Sequence, residues 1–493
     1  MTEENENNIP LRNETEIVET EVEKSAIPAR QDTDPDQDST PMSRTIYILL
    51  SVMLIFSVVA YGAVDVWMIG INAILAGLIV IFWLFDAWKI KEFRYNSSFL
   101  QLPVIGLIVI GLIQLLPLAS NAEVNQIITM PAVASLSLNP YLTRLFVMQL
   151  VIAFVFFAAS LTFINNRKRF QTVTLTIIIF SSIMAFYGIL QYLTNPQSIY
   201  GLRPTGQSSP FASFFNKHHF AAFMEMTLGL TLGLLFGDAT KQNKKIFLII
   251  ASVIMGMAIL LTGSRGGIIS LLGVLGFVIM ANFLNNREIK NQNISEDVKK
   301  FLQRRNLLMF GGGLALVLIL FFGVLFVGGD ESLLRGIGLN TVEGDITTGR
   351  SHFWQIALQI FFDHPIIGTG LDSYGAAFTR YDTWSGAFRI EQAHNDYLQI
   401  LADGGILGFI CVAAFIYLLF KQGIRAIGKN PDKFVMNGAI GALAGCFGIL
   451  IHSFFDFPLR TPSNSLYFLM LATMATVPTH FRREYRRKRK IQE

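Results

Sequence analysis

The segment EQAHNDYLQILADGGILGF places an imidazole and an amide, His394 and Asn395, directly before a strongly apolar run. An imidazole with an unperturbed pKa near 6.5 can take a proton from an alcohol at neutral pH, so His394 is a candidate general base. Asn395 is placed to orient that ring or a substrate. A second set of chemically suited residues is a group of arginines: Arg203 in GLRPTGQSSP, Arg265 in LLTGSRGG, Arg350 in TTGRSHFW and Arg460 in HSFFDFPLRTP. A guanidinium is a permanently charged planar fork that grips phosphate or carboxylate oxygens in pairs. Arg265, between two long apolar runs, is costly enough at a membrane edge to be a functional candidate by default. In NKHHF, Asn216, His218 and His219 open a helix whose free N–H groups favour an anion. The two histidines stand about 100° apart on a helix, a poor chelating pair. His452 and Asp456, four residues apart, can share a helix face and a local hydrogen bond before Pro458 ends the helix. Outside the acidic N-terminal tail, where the run DTDPDQD reads as disordered, no D-x-D pair and no His/Asp/Glu cluster stands at ligand spacing, and neither cysteine is placed for one, so no metal and no cofactor are expected.

These residues are carried by an unusually apolar chain. Of its 493 residues 52% are hydrophobic and 15% charged, and the mean hydropathy is +0.48. Soluble domains carry about 25% charged residues, so the composition implies a membrane protein. Apolar runs of spanning length recur at about 46–62, 65–86, 98–118, 144–165, 169–193, 219–237, 246–262, 265–284, 307–327, 397–420, 434–453 and 464–479. The expected fold is an all-α integral membrane protein with about twelve transmembrane helices. The run from Ile246 to Met280 is too long for one crossing and is read as two spans joined at GSRGG. Cys411 and Cys446 both fall inside spans, which supports no disulfide framework. Residues 1–43 are acidic, polar and proline-containing, and read as a disordered tail.

Charge orients the spans. With the N-terminal tail in the cytoplasm, the loops of that side collect most of the 39 Lys and Arg residues, as the positive-inside rule requires. The other side holds Arg144, Arg203, Lys217, Arg265, Arg335, Arg350, Arg380, Arg389 and Arg460, all but one of them arginine. Orientation does not need that bias, and an anion site does. The alternative is that these arginines pair with acids of the same loops. The segment 328–396 is far longer than an ordinary connection and is expected to be functional. Within it Phe353, Ile356, Ala357, Ile360 and Phe361 recur at helical spacing, in a helix that should end at DHP.

His394 and Asn395, nine residues, Gly405, two residues and Gly408 make the pattern H-N-x9-G-x-x-G. Together with GR…FW…A…DHPIIGTGLDSY and, more loosely, GSRGG and HSFFDFPLRTP, it resembles the O-antigen ligase family, polytopic bacterial glycosyltransferases that use lipid-diphosphate-linked glycans. The likeness runs from about Arg203 to Pro462. It implies a GT-C-like fold in the inner membrane, with both termini cytoplasmic and a large periplasmic loop (328–396) carrying amphipathic helices. That loop stands between spans 1–9 (44–327) and spans 10–12 (397–479), and residues 480–493 form a basic cytoplasmic tail. It further implies transfer of a glycan from an undecaprenyl-diphosphate-linked donor to an acceptor hydroxyl at the periplasmic face, with inversion and without a metal. His394, Arg265 and Arg203 are then the candidate catalytic residues, with Asn395, Arg350, His219, Asn216 and Arg460 as substrate contacts. The partners are the lipid-linked donor, a lipid A–core or other glycan or protein acceptor, and the bilayer, with no nucleic acid. The alternatives are a repeat-unit polymerase, a protein O-oligosaccharyltransferase and, from another class, a polysaccharide or lipid transporter. Against transport, the polar residues gather at the outer ends of the spans and no internal repeat is present.

Overall fold

The computed structural model describes residues 40–120, 133–194, 198–206, 208–237, 242–290, scattered positions between 304 and 318, 349–383, 390–427 and 432–477. Thirteen α-helices are named among them: α1 (Pro41–Val59), α2 (Val66–Ile90), α3 (Gln101–Gln114), α4 (Pro140–Phe163), α5 (Arg167–Thr194), α6 (Lys217–Phe236), α7 (Gln242–Leu261), α8 (Arg265–Lys290), α9 (Arg350–Asp363), α10 (Tyr374–Tyr381), α11 (Asp396–Ile427), α12 (Lys433–His452) and α13 (Pro462–Thr476). The described strands form two short antiparallel hairpins, β1 (Ala119–Ser120) with β2 (Val133–Ala134) and β3 (Ser198–Ile199) with β4 (Arg203–Pro204). Nine described helices are long and apolar enough to cross a membrane. The protein is an all-α, multi-pass membrane protein.

Eleven of the twelve expected spans fall on α1–α8 and α11–α13. The expected span at 307–327 lies, apart from scattered positions, outside the described residues, as do most of the expected N-terminal tail, the residues from 478 onward, and 328–348 and 384–389 of the long loop, with Arg335 and Arg389. The first helix starts earlier than the apolar run suggests. Thr40 caps it by accepting from the Ser43 N–H at 3.0 Å, with Pro41 at the first helical position. The long apolar stretch does divide at GSRGG: α7 ends at Leu261, Gly263 turns the chain at φ +62°, and α8 begins at Arg265.

The antiparallel pair α6 and α12 forms the centre, with 89% and 83% of their spanning residues buried against 33–50% for the other spans. Glycine permits the contact. A Cβ on Gly229 would stand 2.6 Å from the Gly445 nitrogen, and Gly233 faces Gly441 in the same way, so the two backbones touch as small-residue membrane helices do. This pairing brings the N-terminus of α6, with Asn216, His218 and His219, beside the C-terminus of α12, with His452.

The long helix α11 is broken at Gly405, where φ is +62° and ψ −163°. Inside a membrane the backbone groups freed by such a break need partners, and the segment after α9 supplies them. Ile406 and Leu407 donate N–H to the carbonyls of Pro365 and Ile366, while Thr369 and Gly370 donate to those of Ala402 and Asp403. The loop stretch HPIIGTGLD is thereby docked backbone to backbone on α11, and α9 is laid over the bundle end with Phe353, Ile356, Ala357 and Ile360 buried. It stops at Asp363, as the following His-Pro predicts.

Gly405→Ala is expected to destabilise the fold by about 1–3 kcal/mol, because that φ/ψ region is nearly closed to residues with a Cβ. Its methyl would also meet the Ile366 carbonyl. Thermal unfolding in detergent, read against Gly408→Ala, checks this.

Candidate functional site

At the end of the bundle where α6, α8 and α11 begin and α12 finishes, the side chains gather around one carboxylate. Asp456 lies in the turn after α12, only 1% exposed. Its Oδ1 accepts from His394 Nδ1 at 3.0 Å and from the Phe457 N–H at 2.9 Å. Arg350 reaches the other oxygen at 3.8 Å and donates to the neighbouring Phe455 carbonyl. Burial raises a carboxyl, but the hydrogen bond from His394 overcomes it and holds Asp456 far below the ordinary carboxylate range. It is an anion at any physiological pH. Burial in turn lowers the pKa of Arg350, against the pull of Asp456, and the charge of Arg265 adds to the lowering. Arg265 opens α8 next to Gly266, which packs against Phe455, the residue whose carbonyl Arg350 holds.

His394 is held there by its chain. Its φ of +52° is rare for a residue with a side chain. The following backbone is pinned: Asn395 Oδ1 caps α11 by accepting from the N–H groups of Tyr397 and Leu398 at 3.0 and 3.1 Å, and its Nδ2 donates to the Phe454 carbonyl at 3.2 Å. The Asp396 N–H donates to the Ser453 carbonyl at 2.9 Å. With His394 Nδ1 given to an anion, the neutral ring carries its proton on Nδ1 and presents Nε2 as a lone pair. The Phe457 ring stands edge-on between two imidazoles, 5.0 Å from His394 and 4.7 Å from His219.

The expected site residues divide into two sets. His394, Arg350, Arg265 and His219 come together around Asp456. Asn216 and His219 are tied into the wall: Asn216 caps α6 through the His218 N–H at 2.9 Å and contacts His219 Nε2 at 3.2 Å, while His219 Nδ1 meets Thr461 Oγ1 at 2.7 Å. Asn395 is likewise spent on the fold, with its oxygen filled by the α11 cap. Arg203 sits apart. It is bonded through both terminal nitrogens to Asp65, an acid at the start of α2, and lies over the rings of Phe215 and Tyr61 at 4.1 and 4.9 Å. The bond to Asp65 raises its pKa. Arg460 is also taken, by Asp372 at 2.8 Å and Asp403 at 2.6 Å. Burial disfavours its charge, and the surrounding carboxylates of Asp403, Asp372 and Asp396 restore it. A cavity of about 210 Å³ beside it is walled by apolar side chains such as Phe146, Leu150 and Phe415, with Asp396 and Arg460 at its edge. Three acids around one base leave that edge unsuited to an anion.

The local bond expected between His452 and Asp456 is not formed. His452 Nδ1 turns inward to Glu225 Oε1 at 2.9 Å, since the chain unwinds after His452 and swings Asp456 across to His394. Asp456 was the residue missed. Its signal was present in HSFFDFPLRTP, but its partner lies 62 positions earlier. Among the described residues no group of three or more His, Cys, Asp or Glu is arranged to hold a metal.

Comparison with known proteins points the same way as the sequence pattern. The family model described as O-Antigen ligase matches residues 250–413, a range that takes in Arg265, Arg350 and His394. The exopolysaccharide production protein ExoQ of Rhizobium meliloti (strain 1021) is 23% identical over 181 residues, 34% of this chain and 38% of ExoQ. The chain thus matches little more than a third of that relative's length. The resemblance to the O-antigen ligase family is shown over this stretch, and it supports a membrane glycosyltransferase-like ligase or polymerase.

Asp456 is held below the value of an unfolded aspartate, about 3.9. What its ionised form contributes to stability is complete above that pH and is lost only as pH falls through the lower, folded value. The stability deficit of Asp456→Asn, on the order of 2 kcal/mol for a charged hydrogen bond, should be no smaller at pH 5 than at pH 7 and should shrink only below about pH 4. Thermal melts of both proteins across that range measure it.

Proposed function

We propose that the protein moves a glycan from an undecaprenyl-diphosphate-linked donor to an acceptor hydroxyl at the periplasmic face of the inner membrane, without a metal and with inversion at the sugar. The observation that carries this reading is the His394–Asp456 pair set beside Arg350, with Arg265 at the head of α8 where Gly266 packs against Phe455. A lipid-linked donor must keep its hydrocarbon tail in the bilayer, so its reacting carbon lies at the level of these helix ends. Nε2 of His394 takes the proton of the acceptor hydroxyl while Asp456 stabilises the imidazolium that forms. The acceptor oxygen bonds to the anomeric carbon as the bond from that carbon to the phosphate oxygen breaks, and attack from the opposite face inverts the configuration. The departing diphosphate carries its charge away against Arg265 and Arg350, fixed cations in a poorly hydrated setting. Arg203, bound to Asp65, takes no part in this scheme, and Arg460 and Asn395 serve the scaffold.

The two comparisons favour different acceptors. The O-antigen ligase match supports passage of the glycan to a lipid A–core, and the name of the exopolysaccharide relative supports joining one lipid-linked repeat to another. Both use the same centre. Purified protein given a lipid-linked donor with each acceptor in turn separates them by the product formed.

His394→Ala and Arg265→Ala are each expected to lower transfer by about 100-fold or more while the protein still inserts and folds. Arg265→Lys should recover little, because a point charge does not replace the two-pronged guanidinium. Donor consumption in EDTA, with no ion gradient, is the assay. Wild-type turnover by His394→Ala would remove that residue from the scheme.

A further inference from the structure

Glu225 and His452 are sealed between α6 and α12, with 0% and 1% of their surface exposed, and neither has a part in the scheme above. Glu225 stands eight residues inside α6, about 12 Å along the helix from its start. His452 is the one titratable side chain that acts on it among the described residues, while Asp456 and Arg350 face His452 from the site with opposite signs. An uncompensated charge at that depth is expensive, whereas a pair of zero net charge is not. The pair therefore holds one proton on the 2.9 Å bond between Glu225 Oε1 and His452 Nδ1. A hydrogen on the buried Oε2 of Glu225 would find no acceptor, so whichever partner owns the shared proton, the imidazole carries its other hydrogen on Nε2.

That hydrogen has an onward path. His452 Nε2 faces Ser264 Oγ at 3.5 Å, the longest link of the chain, and the same oxygen accepts from the Gly267 N–H at 3.2 Å as it caps α8. Two donors fill the lone pairs of the hydroxyl, so its own hydrogen goes to the remaining neighbour, His218 Nδ1, at 2.9 Å. An imidazole that accepts at Nδ1 has its proton on Nε2. The Nε2 of His218 has no hydrogen-bond partner among the described residues, and the ring lies in the field of Asp456 and Arg350.

We propose that the Glu225–His452 pair, acting through Ser264, fixes His218 as an Nε2–H donor to an anionic phosphate oxygen of the substrate. Glu225, His452 and Ser264 are positioning residues, and His218 is the group in contact. The identity of the anion rests on the transfer reaction proposed above, but the direction of the hydrogen-bond chain does not. The experiment is nitrogen-15 spectroscopy of histidine-labelled full-length protein in lipid bilayers, with the His218 signals assigned through His218→Gln. In the wild type Nδ1 of His218 should be bare and Nε2 protonated, and inorganic pyrophosphate should shift the Nε2 signal. Ser264→Ala and Glu225→Leu should each convert His218 to a mixture of tautomers and lower kcat for transfer by about tenfold, the effect of one lost hydrogen bond to a charged group. Ser264→Ala keeps the test available if Glu225→Leu does not fold. A wild-type His218 protonated on Nδ1, or a tautomer unmoved by either substitution, overturns the relay. A Nε2 signal indifferent to pyrophosphate overturns the contact. The expected tautomers and pyrophosphate shift in a protein that transfers no glycan would sustain the relay and overturn the reaction instead.

Discussion

Everything at this end of the bundle depends on a buried negative charge. Asp456 has almost no access to solvent, and an ionised carboxylate in that position requires donors and cations brought to it. They come from three parts of the chain: His394 from the turn before α11, Arg350 from the head of α9, and the Phe457 amide beside it. Each of these elements is placed by its own backbone constraints, and the carboxylate draws them together. One anion thus does two jobs. It locks the loop helix to the membrane helices, and it sets the tautomer in which His394 offers a lone pair.

The arginines illustrate how an excess of one residue type resolves into unlike roles. Arg265 and Arg350 stay near the centre, Arg203 is captured by Asp65, and Arg460 is wrapped by Asp372 and Asp403. The bias towards arginine is therefore partly an anion site and partly scaffold. In a low-dielectric setting a fork with five donors can join two acids at once, as Arg460 does, and a lysine would join them less well.

How much of this was legible beforehand follows from the range of the interactions. Spans, the GSRGG turn and the end of α9 depend on local hydropathy and on Gly or Pro, and these could be read directly. His394 and Arg265 stood out because a polar group beside a long apolar run has few bland explanations. The fate of Arg203 was not legible, since its partner Asp65 lies 138 positions earlier and is one acid among many. Asp456 was credited to His452 because four-residue spacing fits a continuing helix. The helix stops at His452, so the local rule no longer applied. Asn395 belongs to the same lesson: its place beside His394 suggested chemistry, and its geometry is that of a helix cap.

The broken turn of α11 has a bearing on traffic. Four amide-to-carbonyl bonds stitch the stretch between Pro365 and Gly370 to either side of Gly405, and Gln114 ties the same stretch down by donating to the Ile367 and Asp403 carbonyls. To raise this stretch like a hatch would strand those groups in an apolar medium all at once. The stretch is thus part of the masonry of the bundle end, and in the proposed reaction a lipid-linked donor would reach His394 by going around it.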